Sequence, residues 1–439
     1  MLKITTTQLL STSLIATLLS GQAIAAESPD SSYQLKTKTR FVYFDREFED
    51  PVNDRIQSAF AIAADWTTPQ YGGWFGIGIS PYFVQDIKAT GRIIEDVLTV
   101  KDGEAQGFAL VGQAFVNLTP TESLSAKIGR QTHKSMFLSS SGSRAVPNSF
   151  QGINALFIPT TGVSVYGAVY DKWSPRSNNE FKGFATDQSD PGAIDYVSLI
   201  GLKYKLEALT VEAEYLNSKD YLSKLGLRAS YATKLDGSSL KFTTGVFSSS
   251  DDGDLFVTRA ESGDLDDEDV PGSVAGTTKS SNDGLGAFLE AKWKKGNTQL
   301  TAAVSKFDDI WIEDNFAGDH GTNPFPTRSR LGPDMTNANE TVAMVALKYN
   351  WKEIVAGLET TIATAQGWDA ENSTDPSLGT ADEDWRELVV SYKVPAVKGL
   401  KFTGIWHDYN SDEDGVVDGV KPDETDIRLY LDYSYAFNL

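Results

Sequence analysis

Residues Asp426–Phe437 read Asp-Ile-Arg-Leu-Tyr-Leu-Asp-Tyr-Ser-Tyr-Ala-Phe, and apolar side chains occupy nearly every second position. Successive side chains of a β-strand point to opposite faces, so this stretch predicts a strand with one apolar and one polar face. Arg428, Asp432 and Ser434 share the polar face. The apolar face is therefore expected to lie away from water, and the polar face is expected to contact water.

The same alternation recurs along the whole chain. Eighteen segments of roughly 8 to 12 residues show it. A strand that crosses a bilayer at a tilt needs about 9 to 11 residues, so segments of this length can span a membrane. The predicted segments are Thr37–Asp45, Gln57–Trp66, Gly73–Phe83, Gly107–Leu118, Leu124–Gln131, Gln151–Ile158, Val163–Trp173, Tyr196–Lys205, Leu209–Asn217, Ser223–Thr233, Leu240–Ser248, Leu285–Trp293, Gln299–Phe307, Thr341–Trp351, Ile354–Ala365, Trp385–Lys393, Leu400–Tyr409 and Ile427–Phe437.

Short and long connections alternate between these segments. Glu207-Ala208 and Asp236-Gly237 are turn-like, whereas Ser249–Asp283 and Asp308–Glu340 are long. Outer-membrane barrels pair tight periplasmic turns with long extracellular loops, and an even strand number places both chain ends at the periplasmic side. The sequence therefore predicts an all-β fold, a transmembrane antiparallel β-barrel of 18 strands.

The first 25 residues predict a cleaved signal peptide rather than part of the fold. Lys3 is the only charged residue before Glu27, and a moderately apolar core from Leu9 to Leu19 precedes Ala23-Ile24-Ala25. Small residues at these positions suit a signal peptidase. We expect cleavage after Ala25, with Ala26 as the alternative site, and a single barrel domain over residues 26–439.

The composition excludes several classes of protein. Cysteine is absent, which leaves neither disulfides nor thiolate metal sites. A formal net charge of −21 does not suit nonspecific nucleic-acid binding, which depends on a cationic surface. With the signal peptide, the alternation predicts the outer membrane of a Gram-negative bacterium. We expect outer-membrane lipid and lipopolysaccharide as neighbours of the barrel, and no nucleic-acid partner.

Charged residues share one face of the predicted strands. In Leu209–Tyr215 the odd positions are apolar, and Glu212 and Glu214 lie on the other face. A charge on the lipid face costs about 2 to 4 kcal/mol near the bilayer midplane, so these charges are expected to line a water-filled lumen. The basic residues predicted to face inward are Lys38, Arg40, Lys127, Lys203, Lys224, Arg228, Lys241, Lys292, Lys348, Lys393, Lys401 and Arg428.

The connection after the fifth predicted strand is rich in small hydroxyl residues. Its run Ser141-Gly-Ser-Arg144-Ala-Val-Pro147-Asn-Ser-Phe150-Gln151-Gly152 resembles the third-loop motif of OprD-type porins, the substrate-specific outer-membrane carboxylate channels. Gly142 stands where that family commonly has Asp. The positions that keep the motif are Ser141, Ser143, Arg144, Pro147, Phe150, Gln151 and Gly152.

The resemblance implies a barrel whose third loop, around residues 132–150, folds inward to form an eyelet. Ser141, Ser143 and Arg144 would line that eyelet. It also implies a ladder of basic residues that guides carboxylate-bearing solutes through the barrel. By strand parity, we place Arg40, Arg228, Lys401 and Arg428 in the ladder and Glu212, Glu214 and Glu290 among the acidic lining residues.

The expected function is passive, substrate-selective uptake of small hydrophilic solutes, carboxylate-bearing ones such as amino acids, organic acids or short peptides. The resemblance implies a monomer or weak trimer. A general diffusion porin and a chito-oligosaccharide channel are the alternatives. An outer-membrane hydrolase is disfavoured, because His133, His320 and His407 lie in no recognisable nucleophile motif. We expect neither an enzyme nor a cofactor.

One acidic loop resembles the front of a calcium-binding loop. Asn410, Asp412, Asp414 and Asp418 supply oxygen atoms near a glycine, Gly415. The bidentate Glu expected at the twelfth position is missing, because Lys421 stands there. A solvated acidic loop is favoured, and weak binding of calcium or magnesium at such extracellular loops is the alternative.

Overall fold

The computed structural model describes residues 32–186, 189–256, 282–316, 322–372, 376–412 and 420–438, so the predicted signal peptide lies outside the described residues. Eighteen antiparallel strands form one closed barrel, which confirms the predicted fold class and strand number. The strands are β1 (Gln34–Phe48), β2 (Arg55–Thr67), β3 (Phe75–Gly91), β4 (Phe108–Thr121), β5 (Leu124–Gln131), β6 (Ser149–Thr160), β7 (Val163–Ser174), β8 (Val197–Leu206), β9 (Leu209–Ser218), β10 (Leu222–Leu235), β11 (Ser238–Asp251), β12 (Asp283–Lys295), β13 (Thr298–Phe307), β14 (Thr341–Asn350), β15 (Leu358–Glu371), β16 (Thr380–Lys393), β17 (Leu400–Ser411) and β18 (Glu424–Asn438).

Each strand pairs with its neighbours in chain order, and β1 pairs with β18 to close the ring. Smaller elements decorate the loops. They are the hairpin of Thr99–Lys101 and Glu104–Gln106, the strand Lys182–Gly183 beside β7, and the 3-10 helices Pro51–Asn53 and Pro376–Leu378. No helix in the described ranges is long and apolar enough to cross a bilayer.

The predicted segments coincide with the strands, although their bounds differ. Leu124–Gln131 has the same limits in both, and most other strands extend further because polar residues continue the pairing. The predicted start at Ile354 is wrong. Ile354 donates its backbone N–H to the carbonyl of Trp351 in a turn, and Gly357 has a φ of 88°. The chain therefore enters β15 only at Leu358.

The two faces of the barrel wall follow the alternation. Large apolar side chains stand exposed on the outside; Leu227 is 53% exposed and Ile362 is 60% exposed. A soluble protein rarely leaves such a continuous apolar surface open, whereas a transmembrane barrel presents it to lipid. The same outward face carries Ile77, Ile79, Phe83, Val116, Ile128, Ile153, Val169, Ile200, Leu202, Leu225, Val246, Leu289, Leu300, Val304, Val345, Leu347, Leu388, Trp406, Ile427 and Leu431.

The two ends of the barrel differ in their connections. At one end, which we name the turn end, Glu207, Asp236 and Gly237 adopt positive φ in two-residue connections, as tight hairpin turns require. Gln34 and Asn438 pair at the same end. The opposite end, the loop end, carries the long connections. Those that matter below are L2 (residues 92–107), L3 (132–148), L4 (175–196) and L7 (308–340).

Apolar side chains of L3 and L7 fill part of the lumen toward the loop end. Phe137 of L3 and Trp311 and Phe325 of L7 are at most 1% exposed. Phe137 and Phe325 pack against Phe247, which points inward from β11, and Trp311 packs against Phe325. Burial of this degree is typical of a folded core, so these loops are built into the barrel rather than extended above it.

Candidate functional site

The tip of L3 is attached to the barrel wall at β1 and β18. Arg40 Nη1 donates to the carbonyl oxygens of Gly142 and Arg144, at 2.5 Å and 2.6 Å. The Tyr430 hydroxyl donates to the carbonyl oxygen of Ser143 at 2.8 Å. Three consecutive carbonyls of the loop are therefore bound by two wall side chains.

Arg40 is itself held in place by Asp432 of β18. The carboxylate accepts from Arg40 Nε at 2.6 Å and from Nη2 at 3.0 Å. Two parallel charge-assisted hydrogen bonds fix the plane of the guanidinium. The remaining nitrogen, Nη1, then points at the L3 tip. An arginine suits this position because one guanidinium can bind the Asp432 carboxylate and the L3 carbonyls at the same time.

The first arm of L3 is attached to a different part of the wall. Glu214 of β9 accepts from Ser135 Oγ at 2.8 Å and from the backbone N–H groups of Met136 and Phe137 at 2.9 Å. The Tyr166 hydroxyl donates to the same carboxylate at 2.7 Å. Glu214 thus organises a turn of L3 through its two oxygens.

These attachments carry L3 across the lumen. Its two ends continue into β5 and β6, its arm meets β9, and its tip meets β1 and β18. In a ring of eighteen strands, β9 and β18 are nine strands apart and so lie on opposite walls. A segment bound to opposite walls narrows the barrel between them.

Arg144 pairs with an acid of L2 instead of standing free in the lumen. Its Nη2 lies 2.8 Å from Asp96 Oδ1, and its guanidinium lies 5.1 Å from the ring centroid of Phe44. Arg428 covers the same ring at 4.2 Å. Burial alone would raise the pKa of Asp96, but the charges of Arg144, Arg46 and Arg428 hold it below its usual range. L2 and L3 are therefore joined by a buried ion pair.

The hydroxyl groups of the L3 tip face L4. Ser141 Oγ donates to Ser143 Oγ at 3.0 Å, and Arg176 Nη1 donates to Ser143 Oγ at 2.8 Å. Asn148 accepts from the backbone N–H of Ser141 at 2.6 Å, which tightens the tip. Arg176 and Asp96 are not among the site residues predicted from the sequence, because their loops carry no motif that points to L3.

L7 packs on L3 from the other side of the lumen. Asn315 Nδ2 donates to the carbonyl oxygen of Phe137 at 2.8 Å. Lys224 of β10 donates to the carbonyl oxygen of Glu313 and lies 4.6 Å from the ring centroid of Trp311. The aromatic residues of L7 were the available sequence signal for this packing, since a mobile surface loop seldom carries so many.

A pair of buried carboxyl groups holds the end of L7. Asn337 Nδ2 donates to Glu340 Oε2 at 3.0 Å and to Glu383 Oε1 at 2.7 Å. The Tyr409 hydroxyl donates to Glu383 Oε2 at 2.6 Å. Glu340 is 0% exposed and Glu383 is 1% exposed. Burial, and then the neighbouring charge of Glu383, raises the pKa of Glu340 well above its usual value.

Five of the predicted lumen residues are buried instead of exposed to solute, namely Arg40, Glu214, Lys224, Glu290 and Arg428. Arg40 and Arg428 are 8% and 4% exposed, and Glu214 is 1% exposed. Arg40 and Glu214 hold L3, while Arg428 binds Asp426 through hydrogen bonds of 2.5 to 3.0 Å. Their inward direction agrees with the predicted parity, each side chain is covered by protein partners, and their role in lining the pore stays a prediction. Parity does not reveal which inward side chains a loop covers.

A first basic group lines the wall around β1, on the turn side of the L3 tip. It comprises Lys348, Lys393, Lys401 and Lys38, together with the acids Glu359 and Asp432. Lys348 Nζ lies 2.6 Å from Glu359, and Lys38 Nζ lies 3.8 Å from Asp432. Lys393 and Lys401 stand directly opposite each other on β16 and β17. Four cations and two anions leave this group with a net charge of +2.

A second basic group lines the wall around β10. It comprises Lys203, Arg228, Lys241 and Lys292, together with the acids Glu212 and Glu290. Arg228 Nη2 lies 2.7 Å from Glu212, and Lys292 Nζ lies 2.6 Å from Glu290, which is buried beneath it. Lys241 and Lys292 are directly opposed on β11 and β12. This group also has a net charge of +2.

Both basic groups lie one inward position below an attachment of L3. Lys38 is the inward neighbour of Arg40 on the turn side, and Glu212 is the corresponding neighbour of Glu214. A solute that passes L3 would therefore meet a cationic wall on either side. Side chains in both groups are partly open, with 44% of Lys38 and 41% of Lys292 exposed.

Two of the four predicted ligands of the calcium loop, Asp414 and Asp418, lie outside the described residues. Asn410 donates to Asp408 at 3.2 Å, and Asp412 accepts from the backbone N–H of Asp382 at 2.5 Å. In the part of the chain that the structure describes, no three His, Asp or Glu residues are grouped as metal ligands. Cation binding there stays a prediction.

Comparison with known proteins assigns the fold to a family. A family model described as outer membrane porin, OprD family, matches residues 30–437. Among solved structures, Acinetobacter baumannii OccAB4 is 17% identical with a TM-score of 0.77, covering 94% of this chain and 100% of its own. Pseudomonas aeruginosa OpdK with vanillate is 16% identical with a TM-score of 0.76, covering 92% and 99%. Pseudomonas aeruginosa OccK9 (OpdG) is 17% identical with a TM-score of 0.76, covering 92% and 98%.

The comparison with curated proteins finds no match. The family model nevertheless spans nearly all of the barrel, from before β1 to the end of β18, so the match concerns the entire fold rather than one segment. It confirms the resemblance to the OprD family and the predicted location in the outer membrane of a Gram-negative bacterium. This chain therefore belongs to the OprD family of outer-membrane porins.

Proposed function

We propose that this porin mediates passive, selective uptake of small hydrophilic solutes that carry a carboxylate. The observation that carries the proposal is the pairing of lysines in the lumen. Lys393 opposes Lys401 in the first basic group, and Lys241 opposes Lys292 in the second. All four side chains point inward.

Directly opposed like charges on neighbouring strands destabilise a sheet. The β-carbons of such a pair lie about 4.5 to 5.5 Å apart, close enough for two ammonium groups to share one anion. A carboxylate between them offsets the repulsion, because each of its oxygens accepts a charge-assisted hydrogen bond. The paired lysines are therefore best explained as transient binding positions for anionic groups.

The loops supply the size limit in this proposal. L3 and L7 narrow the lumen, and Ser141, Ser143 and the exposed backbone of Gly142 form the tip of L3. Hydroxyl and peptide groups there can hydrogen-bond a hydrated solute before it reaches the lysines. Arg144 acts mainly through its ion pair with Asp96, which keeps the tip in place.

The similarity to OpdK fits this proposal, because that porin was solved with vanillate, a carboxylate. An identity of 16% transfers the fold and not the substrate, so the choice among amino acids, organic acids and short peptides rests on the lumen of this chain. The paired lysines require only one anionic group, which leaves the remainder of the solute to be selected by L3 and L7.

Single-channel recording in planar bilayers tests the proposal. Glucuronate should block the current of the wild-type channel, and the double variants Lys393→Gln with Lys401→Gln and Lys241→Gln with Lys292→Gln should each weaken the block. Lys398→Gln is the matched control, since Lys398 is an exposed lysine in the connection between β16 and β17 at the turn end of the barrel. A large conductance that glucuronate leaves unchanged would contradict the proposal and favour a general diffusion porin.

A further inference from the structure

A row of three polar residues crosses the outer face of the barrel between β5 and β7. Arg130 of β5 directly opposes Gln151 of β6, and Gln151 directly opposes Lys172 of β7. The residues that follow in the chain, Gln131 and Trp173, are 1% and 3% exposed and face the interior. Because successive side chains of a strand alternate, the three polar side chains point outward. We name them the outer polar row.

The outer polar row borders the apolar band of the wall. At the next outward position toward the turn end, Ile128, Ile153 and Val169 oppose one another on the same three strands. We name these three residues the apolar row. They are 43%, 50% and 51% exposed, as expected of side chains that face lipid. The polar row therefore lies at the loop-end edge of a lipid-facing surface, on the side of the outer leaflet.

Two contacts orient the guanidinium of Arg130. Its Nε donates to Gln151 Oε1 at 3.3 Å, and the guanidinium lies 4.2 Å from the ring centroid of Phe181 in L4. Neither contact uses Nη1 or Nη2, and no acceptor among the described residues binds these two nitrogens. The Nη groups are therefore positioned to bind an acceptor outside the protein.

The charge of the outer polar row is not balanced by ion pairs within the described part of the chain. No carboxylate there forms an ion pair with Arg130 or Lys172. Asp171, the extra residue where β7 shifts register, is exposed and pairs with neither cation. The row and Asp171 together have a net charge of +1. Cations at the edge of a lipid-facing surface are costly unless an anion binds them.

Other cations at the loop end have carboxylate partners of their own. Arg386 of β16 also points outward, and its Nη2 lies 3.1 Å from Asp384. Lys219, in the connection between β9 and β10, pairs with its neighbour Asp220. The protein neutralises these two cations itself, whereas the two cations of the outer polar row are left for an external anion.

The two rows together fit an amphiphile that carries a phosphate above acyl chains. Neighbouring strands lie about 4.8 Å apart, so the backbones of Arg130 and Lys172 are about 10 Å apart and their long side chains can reach one phosphate. A guanidinium binds two phosphate oxygens at once, and an ammonium adds a further charge-assisted hydrogen bond. Acyl chains of the same molecule would then lie on the apolar row.

We infer that the outer polar row binds a lipid A phosphate of lipopolysaccharide, with the acyl chains of that molecule on the apolar row. The inference is independent of the transported solute, because both rows lie on the outside of the barrel. The site gives a protein with a formal net charge of −21 a cationic contact to an anionic leaflet. It also places the lipid against β5, β6 and β7, the strands that border L3 and L4.

Binding of Kdo2-lipid A to the folded, full-length protein in detergent, measured by native mass spectrometry, tests the inference. Arg130→Gln with Lys172→Gln should lower the affinity about tenfold or more, because both charge-assisted contacts to the phosphate are lost. Arg386→Gln with Lys219→Gln is the matched control, since it removes the same charge from cations that already have partners. Its affinity should stay within about twofold of the wild type.

Two competitors distinguish lipid A from other sources of phosphate. Phosphatidylglycerol should compete poorly, because its two acyl chains cover less of the apolar row than those of lipid A. Inorganic phosphate should also compete poorly, because it has no acyl chain. Displacement of lipid A by an equal amount of phosphatidylglycerol would assign the row to phospholipid, and displacement by inorganic phosphate would assign it to a free anion. Either result would contradict the inference.

The variants supply the remaining outcomes. Wild-type affinity in the variant of the outer polar row would overturn the site. Equal losses in the two double variants would show that lipid A responds only to the net charge of the protein, which would overturn it as well. Heat-modifiable migration in gels verifies that each variant has folded.

Discussion

Arg40 of β1 and Gly142 of L3 are joined by a hydrogen bond of 2.5 Å from the guanidinium to the loop carbonyl, across 102 residues of chain. In the third-loop motif that this sequence resembles, Gly142 stands at a position that commonly holds Asp. The wall arginine therefore binds the backbone at this position, which needs no acidic side chain. The contact makes the position of the L3 tip depend on β1, and hence on closure of the barrel.

Replacing Arg40 should release the tip of L3. Arg40→Gln removes the donors to Gly142 and Arg144, so single-channel conductance should rise and its fluctuations should increase. Arg40→Lys is the control for charge, because lysine keeps the cation but lacks the planar fork. It should also raise the conductance, though less. A conductance equal to that of the wild type in both variants would show that Arg40 does not position the loop.

Glu214 should be a structural residue and not a determinant of selectivity. Glu214→Gln replaces one carboxylate oxygen with an NH2 group, which cannot accept a hydrogen bond from the backbone N–H of Met136 or Phe137. The buried N–H group left without an acceptor costs about 1 to 3 kcal/mol. We expect a lower free energy of unfolding and larger current fluctuations. Glu212→Gln is the matched control, since its carboxylate contacts Arg228 and Tyr166 but no L3 residue. Equal effects of the two variants would argue against the L3 attachment.

The attachment of L7 should weaken as the pH rises. The raised pKa of Glu340 means that the protonated form, which can share its proton with Glu383, is favoured in the folded state. The stabilisation is therefore present at low pH and is lost as the pH rises through that pKa. The groups that hydrogen-bond this pair of carboxyl groups are Asn337 and Tyr409.

A nitroxide at position 328 can report this change, because the chain has no cysteine of its own. The spectrum of Arg328→Cys labelled protein should indicate greater mobility at about pH 9 than at about pH 6. Glu340→Gln in the same background should abolish the difference. Glu371→Gln, which alters a nearby carboxylate bonded to Asn339, should preserve it. A wild-type spectrum that does not change with pH contradicts the prediction.

The orientation of the wall can be tested on a single strand. Leu227 of β10 faces outward, and Ser230 faces inward. Leu227→Arg should lower the free energy of unfolding from lipid by about 2 to 4 kcal/mol. Ser230→Arg should change it by less than about 1 kcal/mol, since the new charge meets a hydrated lumen. Comparable losses in the two variants would refute the assignment of the faces.

The strands could be predicted from the sequence because period-two alternation is local. Each segment shows its own apolar face, and the strand containing Leu124–Gln131 even has the predicted limits. The loop packing could not be predicted in the same way. Whether Arg40 is open or covered depends on carbonyls of L3 that lie more than 100 residues away in the chain.

The same limit applies to the candidate site. Parity placed Arg228 and Lys401 in the lumen, where they belong to the two basic groups. It gave Glu214 the same direction, yet that carboxylate is enclosed by a turn of L3. Lys224 is bonded to the backbone of L7, and Glu340 is bonded to Asn337 of the same loop. No local sequence pattern specifies these contacts. The direction in which a side chain points is set by its strand, whereas its burial under a loop is set by the tertiary fold.

The most direct test of carboxylate selectivity is the ratio of glucuronate to glucose uptake into proteoliposomes that contain the wild-type channel. The two solutes have nearly the same size and differ by one carboxylate, so L3 and L7 should treat them alike. The paired lysines predict faster uptake of glucuronate, and a smaller ratio when Lys393→Gln and Lys401→Gln are combined. Equal uptake of both solutes by the wild-type channel would contradict selective transport of carboxylates.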